Sequence, residues 1–190
     1  MKGNIDIFDF ELTDEEMKNM QALDTNKPSH NPEDPANETR LKRNKKFMTN
    51  FITLNNGYQI PQLGFGTIQQ FGKQIEDNVA FALNNGYQLI DTANRYGNEV
   101  EVGKGLKLSG LKREDYYLET KLGPTLYEND QAIDDTLKRL GVDYVDVMIL
   151  HHPVNNYVYA YKMLEKAYKE GKIKAIGLSN FRVEQIQENF

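Results

Sequence analysis

The chain has 190 residues, with 23 basic against 28 acidic side chains for a net charge of −5, no cysteine, and 39% apolar residues. That length suits one domain with an appendage. The acidic balance excludes an electrostatic nucleic-acid footprint, and the missing thiols exclude disulfides, thiolate catalysis and cysteine metal sites. Apolar runs such as Val147 to Leu150 fall far short of the ~20 residues of a membrane helix. The N-terminus, with Asp6, Asp9 and Glu11 among its apolar residues, lacks an export signal. These features predict a cytoplasmic protein with no nucleic-acid partner, no membrane contact and no metal.

Residues 1–46 read as an arm. Thr13 with Glu16 three residues later forms a capping-box pattern, and Met17, Met20 and Leu23 follow at helical spacing, so one short helix is expected over about 13–23. From Asn26 the composition turns to Pro28, Ser29, Pro32, Pro35 and Asn37, which cannot build a core. This linker ends in Arg40, Lys42, Arg43, Lys45 and Lys46, read as a solvated basic face.

Residues 47–190 have a different style. Phe51 to Leu54, the turn Asn55-Asn56-Gly57, and Tyr58 to Ile60 predict a β-hairpin. Short apolar runs then recur at Leu63–Gly66, Leu89–Asp91, Tyr116–Thr120, Val145–Leu150 and Ala175–Leu178. Amphipathic stretches fill the gaps, with Ile75, Val79, Ala82 and Leu83 on one face, then Ile133, Leu137 and Leu140, then Tyr157, Tyr161, Leu164 and Tyr168. Gly86, Gly110, Gly141 and Gly171 stand where helices should stop. The alternation predicts five βα units and a parallel sheet, either doubly wound or part of a (β/α)8 barrel. Gly64-Phe65-Gly66 opens a dinucleotide fingerprint, but Gln69 stands where its third glycine belongs, and that favours the barrel.

Barrel enzymes carry their reactive groups at the C-terminal ends of strands. The predicted ends hold Gly66-Thr67, Asp91-Thr92, Lys121, His151-His152 and Ser179-Asn180, with Tyr96 on the loop after Asp91. Singly, each has a plain reading: Asp91 as a helix cap, Lys121 as a surface lysine, His151 as a core histidine, Tyr96 as packing. Together they form a proton-transfer set. A free phenol is a poor acid at neutral pH, an ammonium beside it favours the phenolate, a carboxylate holds the ammonium, and an imidazole orients a carbonyl oxygen. Such a set suits carbonyl reduction.

The sequence here resembles the aldo/keto reductase family, through Leu63-Gly64-Phe65-Gly66-Thr67, Ile90-Asp91-Thr92-Ala93-Asn94-Arg95-Tyr96-Gly97-Asn98-Glu99, Thr120-Lys121-Leu122, Leu150-His151-His152-Pro153 and Ile176-Gly177-Leu178-Ser179-Asn180-Phe181. These motifs run in family order from about residue 48 to 190. The closest flavour is the bacterial subgroup of 2,5-diketo-gluconate and small-aldehyde reductases. The resemblance implies a (β/α)8 barrel, NADPH as cofactor with NADH as the other possibility, and a small aldehyde or ketone as substrate. It implies that Tyr96 is the general acid, that Lys121 and Asp91 tune it, and that His151 orients the substrate. Gly66 and Thr67 would lie beside the cofactor, and Ser179 with Asn180 would hold the nicotinamide carboxamide. His152 stands where many members carry Trp, and Gly123 where an aromatic residue or Asn is frequent.

Residues 1–46 look like the tail that follows the eighth βα unit in relatives, whereas here they come first. The expectation is an incomplete (β/α)8 barrel of five units, as in a truncated or read-through sequence. Three outcomes follow: a carbonyl reductase by family, a fragment inactive on its own that self-associates through open sheet edges, or a non-catalytic cofactor-binding relative that regulates a partner. The intact Asp91, Tyr96, Lys121 and His151 argue against the last.

Overall fold

The computed structural model describes residues 50–154 and 156–189; the expected arm over 1–46 and its short helix lie outside the described residues. Strands β1 (Phe51–Thr53) and β2 (Gln59–Pro61) pair antiparallel, with Ile52 opposite Ile60. Gly57 closes their turn at φ +82, donating its N–H to the Leu54 carbonyl at 2.9 Å.

Five parallel strands follow: β3 (Gly64–Gly66), β4 (Leu89–Asp91), β5 (Tyr117–Leu122), β6 (Val145–Leu150) and β7 (Ile173–Leu178). Helices α1 (Gly72–Asn84), α2 (Glu99–Leu108), α3 (Ala132–Leu140) and α4 (Tyr157–Lys169) connect them in turn, and α5 (Val183–Asn189) comes last. The sheet order is β3-β4-β5-β6-β7, the order of the chain. Every right-handed crossover therefore steps the same way and lays its helix on the same face, the rule of a (β/α)8 barrel; a doubly wound sheet reverses direction once. Among the described residues β3 and β7 are the sheet's edges.

Alternation along β5 separates two faces. Leu118, Thr120 and Leu122 are buried toward the helices, while Tyr117, Glu119 and Lys121 lie half-buried on the other side. The helix-side core joins Leu118, Leu122, Met148 and Leu150 to Ile75, Val79, Val102, Leu137, Leu140 and Leu164. Each such side chain contributes about 1.5–3 kcal/mol by leaving water.

Two helices differ from the sequence periodicity. Helix α4 buries Ala160, Leu164 and Ala167, not the tyrosine stripe, and Tyr168 stays 42% exposed. Alanines let the helix approach the sheet, and Tyr157 and Tyr161 pack partly buried against the same core. Helix α2 carries no long apolar stripe, because it packs by backbone proximity. A Cβ on Gly105 would lie 2.7 Å from the Glu76 carbonyl oxygen of α1, and one on Gly103 would lie 2.5 Å from the Leu140 carbonyl oxygen of α3.

The hairpin is fastened to the N-terminal ends of the strands. Tyr58 donates its hydroxyl to Asp146 Oδ1 at 2.5 Å, and Asn56 Nδ2 donates to the Lys174 carbonyl at 2.9 Å. Arg113 Nη2 and the Leu118 N–H reach Asp146 Oδ2 at 2.5 and 2.8 Å. This leaves the C-terminal strand ends for chemistry.

Candidate active site

The C-terminal ends bring the expected residues together. Asp91 closes β4 and Lys121 lies near the end of β5 on the same face. Lys121 Nζ is ion-paired and hydrogen-bonded to Asp91 Oδ1, donates to the Thr92 carbonyl at 3.1 Å, and sits 5.4 Å from the centre of the Tyr96 ring. Lys121 is 12% exposed, so its cation is held by these partners and not by bulk water. His151 follows β6 directly; its ring centre is 6.2 Å from that of Tyr96, in an edge-on arrangement.

Tyr96 ends a 3-10 turn over Asn94–Tyr96, stopped by Gly97 at φ +67. Asn94 anchors that turn: its Nδ2 donates to Glu99 Oε1 at 2.8 Å and Thr136 Oγ1 at 2.9 Å, and its Oδ1 accepts the Gly123 N–H at 3.3 Å. The Tyr96 hydroxyl has no hydrogen-bond partner among the described residues, so it is free to donate outward.

Burial, then the nearby His152, Lys121 and Arg95 charges, push His151 down to about 4 against the opposing pull of Asp91. At neutral pH it is a neutral imidazole with one N–H to give. Its Nδ1 is buried without a hydrogen-bond partner. His152 stacks on it at 4.6 Å, and the His152 backbone is clasped by Tyr127, whose hydroxyl donates to the carbonyl at 2.8 Å and accepts the N–H at 3.1 Å.

The expected cofactor residues lie at the same end. Gly66 is the register partner of Asp91, and a Cβ added there would meet nothing within 4 Å. Thr67 points the other way: its side chain is fully buried and its Oγ1 lacks a partner, while its N–H donates to the Asp91 carbonyl at 3.0 Å. Asn180, at φ +65, donates Nδ2 to the His151 carbonyl at 2.8 Å and to Ser179 Oγ at 3.0 Å. The left-handed backbone suits Asn, whose side chain bonds locally.

Two carboxylates were not singled out from the sequence. Glu119, two residues before Lys121 on the same face, is the register partner of Asp91, and its Oε1 lies 3.9 Å from Lys121 Nζ. Strand alternation from Lys121 was the signal that could have found it. Glu99, 2% exposed behind the sheet, pairs with Arg139 Nε at 2.7 Å and accepts from Thr120 Oγ1 at 3.1 Å. Among the described residues no cluster of three or more His, Asp or Glu side chains could hold a metal ion, and no helix is long and apolar enough to cross a membrane.

Comparison with known proteins agrees with this fold. Against morphine 6-dehydrogenase of Pseudomonas putida the chain is 38% identical over 143 residues, which is 72% of this chain and 48% of that enzyme. An aldo/keto reductase structure from Brucella melitensis is similar with a TM-score of 0.71 at 40% identity, covering 74% of this chain and 57% of that one. The Bombyx mori aldo-keto reductase, solved in complex with NADP, gives 0.69 at 29% identity over 74% and 53% of the two chains. The chain thus spans about half the length of the curated relatives it matches. Residues 62–189 match the family model described as "Aldo/keto reductase family", and with strand order and motifs in agreement the chain belongs to the aldo/keto reductase family.

Proposed function

We propose that this chain carries the proton-transfer half of a nicotinamide-dependent carbonyl reductase acting on small aldehydes or ketones. The observation that carries the reading is Tyr96, its hydroxyl unpartnered among the described residues and its ring 5.4 Å from Lys121 Nζ of the Lys121–Asp91 ion pair and 6.2 Å from the His151 ring. Asp91 fixes the Lys121 ammonium, and the ammonium stabilises the phenolate left when Tyr96 gives up its proton. His151, neutral because burial pushes it down to about 4, donates an N–H to the carbonyl oxygen and orients it toward the phenol.

A nicotinamide dinucleotide, NADPH or alternatively NADH, would supply the hydride when bound. The open space before Gly66 and the paired Ser179 and Asn180 side chains beside His151 fit its nicotinamide end. Thr67 would act beside the cofactor by position only, since its side chain is buried, its N–H is given to the Asp91 carbonyl and its carbonyl accepts from Asn98.

The test is Tyr96→Phe assayed with NADPH and a small aldehyde such as methylglyoxal. Turnover should fall by about 10²–10⁴-fold, the usual contribution of a general acid, with little change in cofactor affinity. Lys121→Met should act in the same direction. Near-normal turnover in the Phe variant would remove Tyr96 from the role.

The edges at β3 and β7 favour a second reading of the 190 residues taken alone. Parallel strands with unpaired edges recruit further strands, so the isolated chain would self-associate and bind NADPH weakly. Fluorescence titration that returned micromolar NADPH binding and turnover from a monomer would refute this.

A further inference from the structure

Lys121 is shared by two carboxylates where one would hold it. Asp91 on β4 and Glu119 on β5 are register partners, so their side chains leave the sheet at one level and on one face. Asp91 is ion-paired with Lys121 Nζ, and Glu119 Oε1 lies 3.9 Å from the same nitrogen. Both carboxyl groups thus lie against one ammonium, from adjacent strands and at the same level. From β6 the partner at this level is Val147, which brings no charge, and along β5 the same face carries only the Tyr117 phenol below. Two carboxylates and one ammonium leave an uncompensated negative charge in a site where Glu119 is 18% exposed. Two carboxyl groups this close cannot both ionise readily, and a proton between them removes the surplus.

We propose that Asp91 and Glu119 share one proton across Lys121, and that Glu119 is the positioning residue that keeps this proton in reserve behind the Tyr96 acid. The inference rests on the carbonyl-reductase reading for its purpose, because each reduction takes one proton from the Tyr96 oxygen. Each reduction takes up one solvent proton. Tyr96 O–H protonates the nascent alkoxide, and Lys121, whose Nζ lies 5.4 Å from the Tyr96 ring centre, returns a proton to the phenolate through an intervening water. The shared carboxyl proton restores Lys121, and a hydronium ion from solvent reprotonates the carboxyl pair. Burial, then the charge of Asp91, and its hydrogen bond, push Glu119 up to about 7 against the opposing pull of Lys121. The reserve is therefore full below neutrality, half full near pH 7 and empty above it.

The test is a 13C carboxyl NMR titration of the 190-residue chain beside Glu119→Gln and Asp91→Asn. One glutamate resonance should titrate near pH 7 in the wild type, vanish in Glu119→Gln, and move down by more than one pH unit in Asp91→Asn. Urea unfolding of the wild type and Glu119→Gln gives a second measure that does not depend on Asp91→Asn folding. The folded state holds a proton on Glu119 between its unfolded value of 4.5 and about 7. Wild-type stability relative to Glu119→Gln should therefore fall as pH rises through that window, by up to about tenfold in the unfolding constant per pH unit. In turnover, Glu119→Gln should lose the limb near pH 7 while its cofactor KM holds. A Glu119 midpoint near 4.5, or parallel pH–stability curves, would overturn the shared proton. A midpoint near 7 with the turnover limb unchanged in Glu119→Gln would overturn the reserve. Normal turnover in Tyr96→Phe would instead strike the reductase reading, leaving the titration result standing.

Discussion

Arg139→Met should destabilise the chain more than Glu99→Gln does, although both break the same ion pair. Glu99 is 2% exposed and Arg139 is 37% exposed, with Nε and Oε2 at 2.7 Å. Removing the arginine strands a buried carboxylate, which keeps only the neutral donors Asn94 at 2.8 Å and Thr120 at 3.1 Å. Breaking a buried pair from one side costs about 3–5 kcal/mol. The two surviving donors and the partial exposure of the site reduce that to roughly 2–4 kcal/mol. In Glu99→Gln the guanidinium left behind reaches water, and the amide oxygen can still accept from Asn94 and Thr120, so about 1–2 kcal/mol is expected. Against a total of ~5–15 kcal/mol the difference is easily read by urea unfolding at pH 7. The double variant should recover part of the Arg139→Met loss, since it no longer buries an unpaired charge. Because Asn94 links this pair to the Tyr96 turn and to the Gly123 N–H at 3.3 Å, Arg139→Met should also speed hydrogen exchange at those two amides. If Glu99→Gln proves the costlier change, or Arg139→Met costs under ~1 kcal/mol, the pair is not the buried anchor described.

Gly105→Ala should cost more than ~2 kcal/mol despite the better helix propensity of alanine, because its Cβ would press to 2.7 Å on the Glu76 backbone oxygen and α1 would have to move away; thermal unfolding reads this, and a neutral result would mean that the helices are not in backbone contact. Asp146→Ala should destabilise by about 3–5 kcal/mol and Tyr58→Phe by about 1 kcal/mol, since the first orphans the Arg113 charge and the Leu118 N–H while the second removes one donor only. Equal losses in urea unfolding would mean that the hairpin contact, not the buried charge, dominates.

The repeating units were legible because their punctuation is local. Gly86, Gly110, Gly141 and Gly171 all adopt positive φ, between +68 and +104, so four helix ends could be placed from residue type alone. The hairpin turn at Gly57 was legible for the same reason. Helix α2 was the weak spot: Gly103 and Gly105 lower its propensity and interrupt its stripe, and what they provide, close approach to α1 and α3, is invisible until those helices are in place. Of the α4 stripe, Leu164 is in the core, Tyr157 and Tyr161 pack at its boundary and Tyr168 is exposed, because a phenol counts as apolar in a periodicity yet favours the boundary of a core. At the site, residues at strand ends could be named from the order of the chain; alternation along β5 could have put Glu119 on the face of Lys121, but its place beside Asp91 required the β4–β5 register, a tertiary property. Thr67 was placed beside the cofactor from its position in the motif, but strand parity turns its side chain into the core.

Charge matching separates the structural carboxylates from the one that stands out. Asp146 has Arg113 at 2.5 Å, Glu99 has Arg139 at 2.7 Å, and Asp91 has Lys121, so each of these buried or half-buried acids answers to its own cation. Such matched pairs fix position, as the hairpin and the Tyr96 turn illustrate, and their protonation need not change. Glu119 has no cation of its own and competes for one already taken, 3.9 Å away. A purely structural role at that strand position would be met by an apolar or hydroxyl side chain without the desolvation cost of a fourth acid. Local conflicts of this kind concentrate where function demands them. The conflict here lies on the open face of the sheet, two residues before the lysine that lies beside the Tyr96 ring. It gives the proton-transfer set something the other ion pairs lack: a group whose charge changes within the range in which the reaction would run.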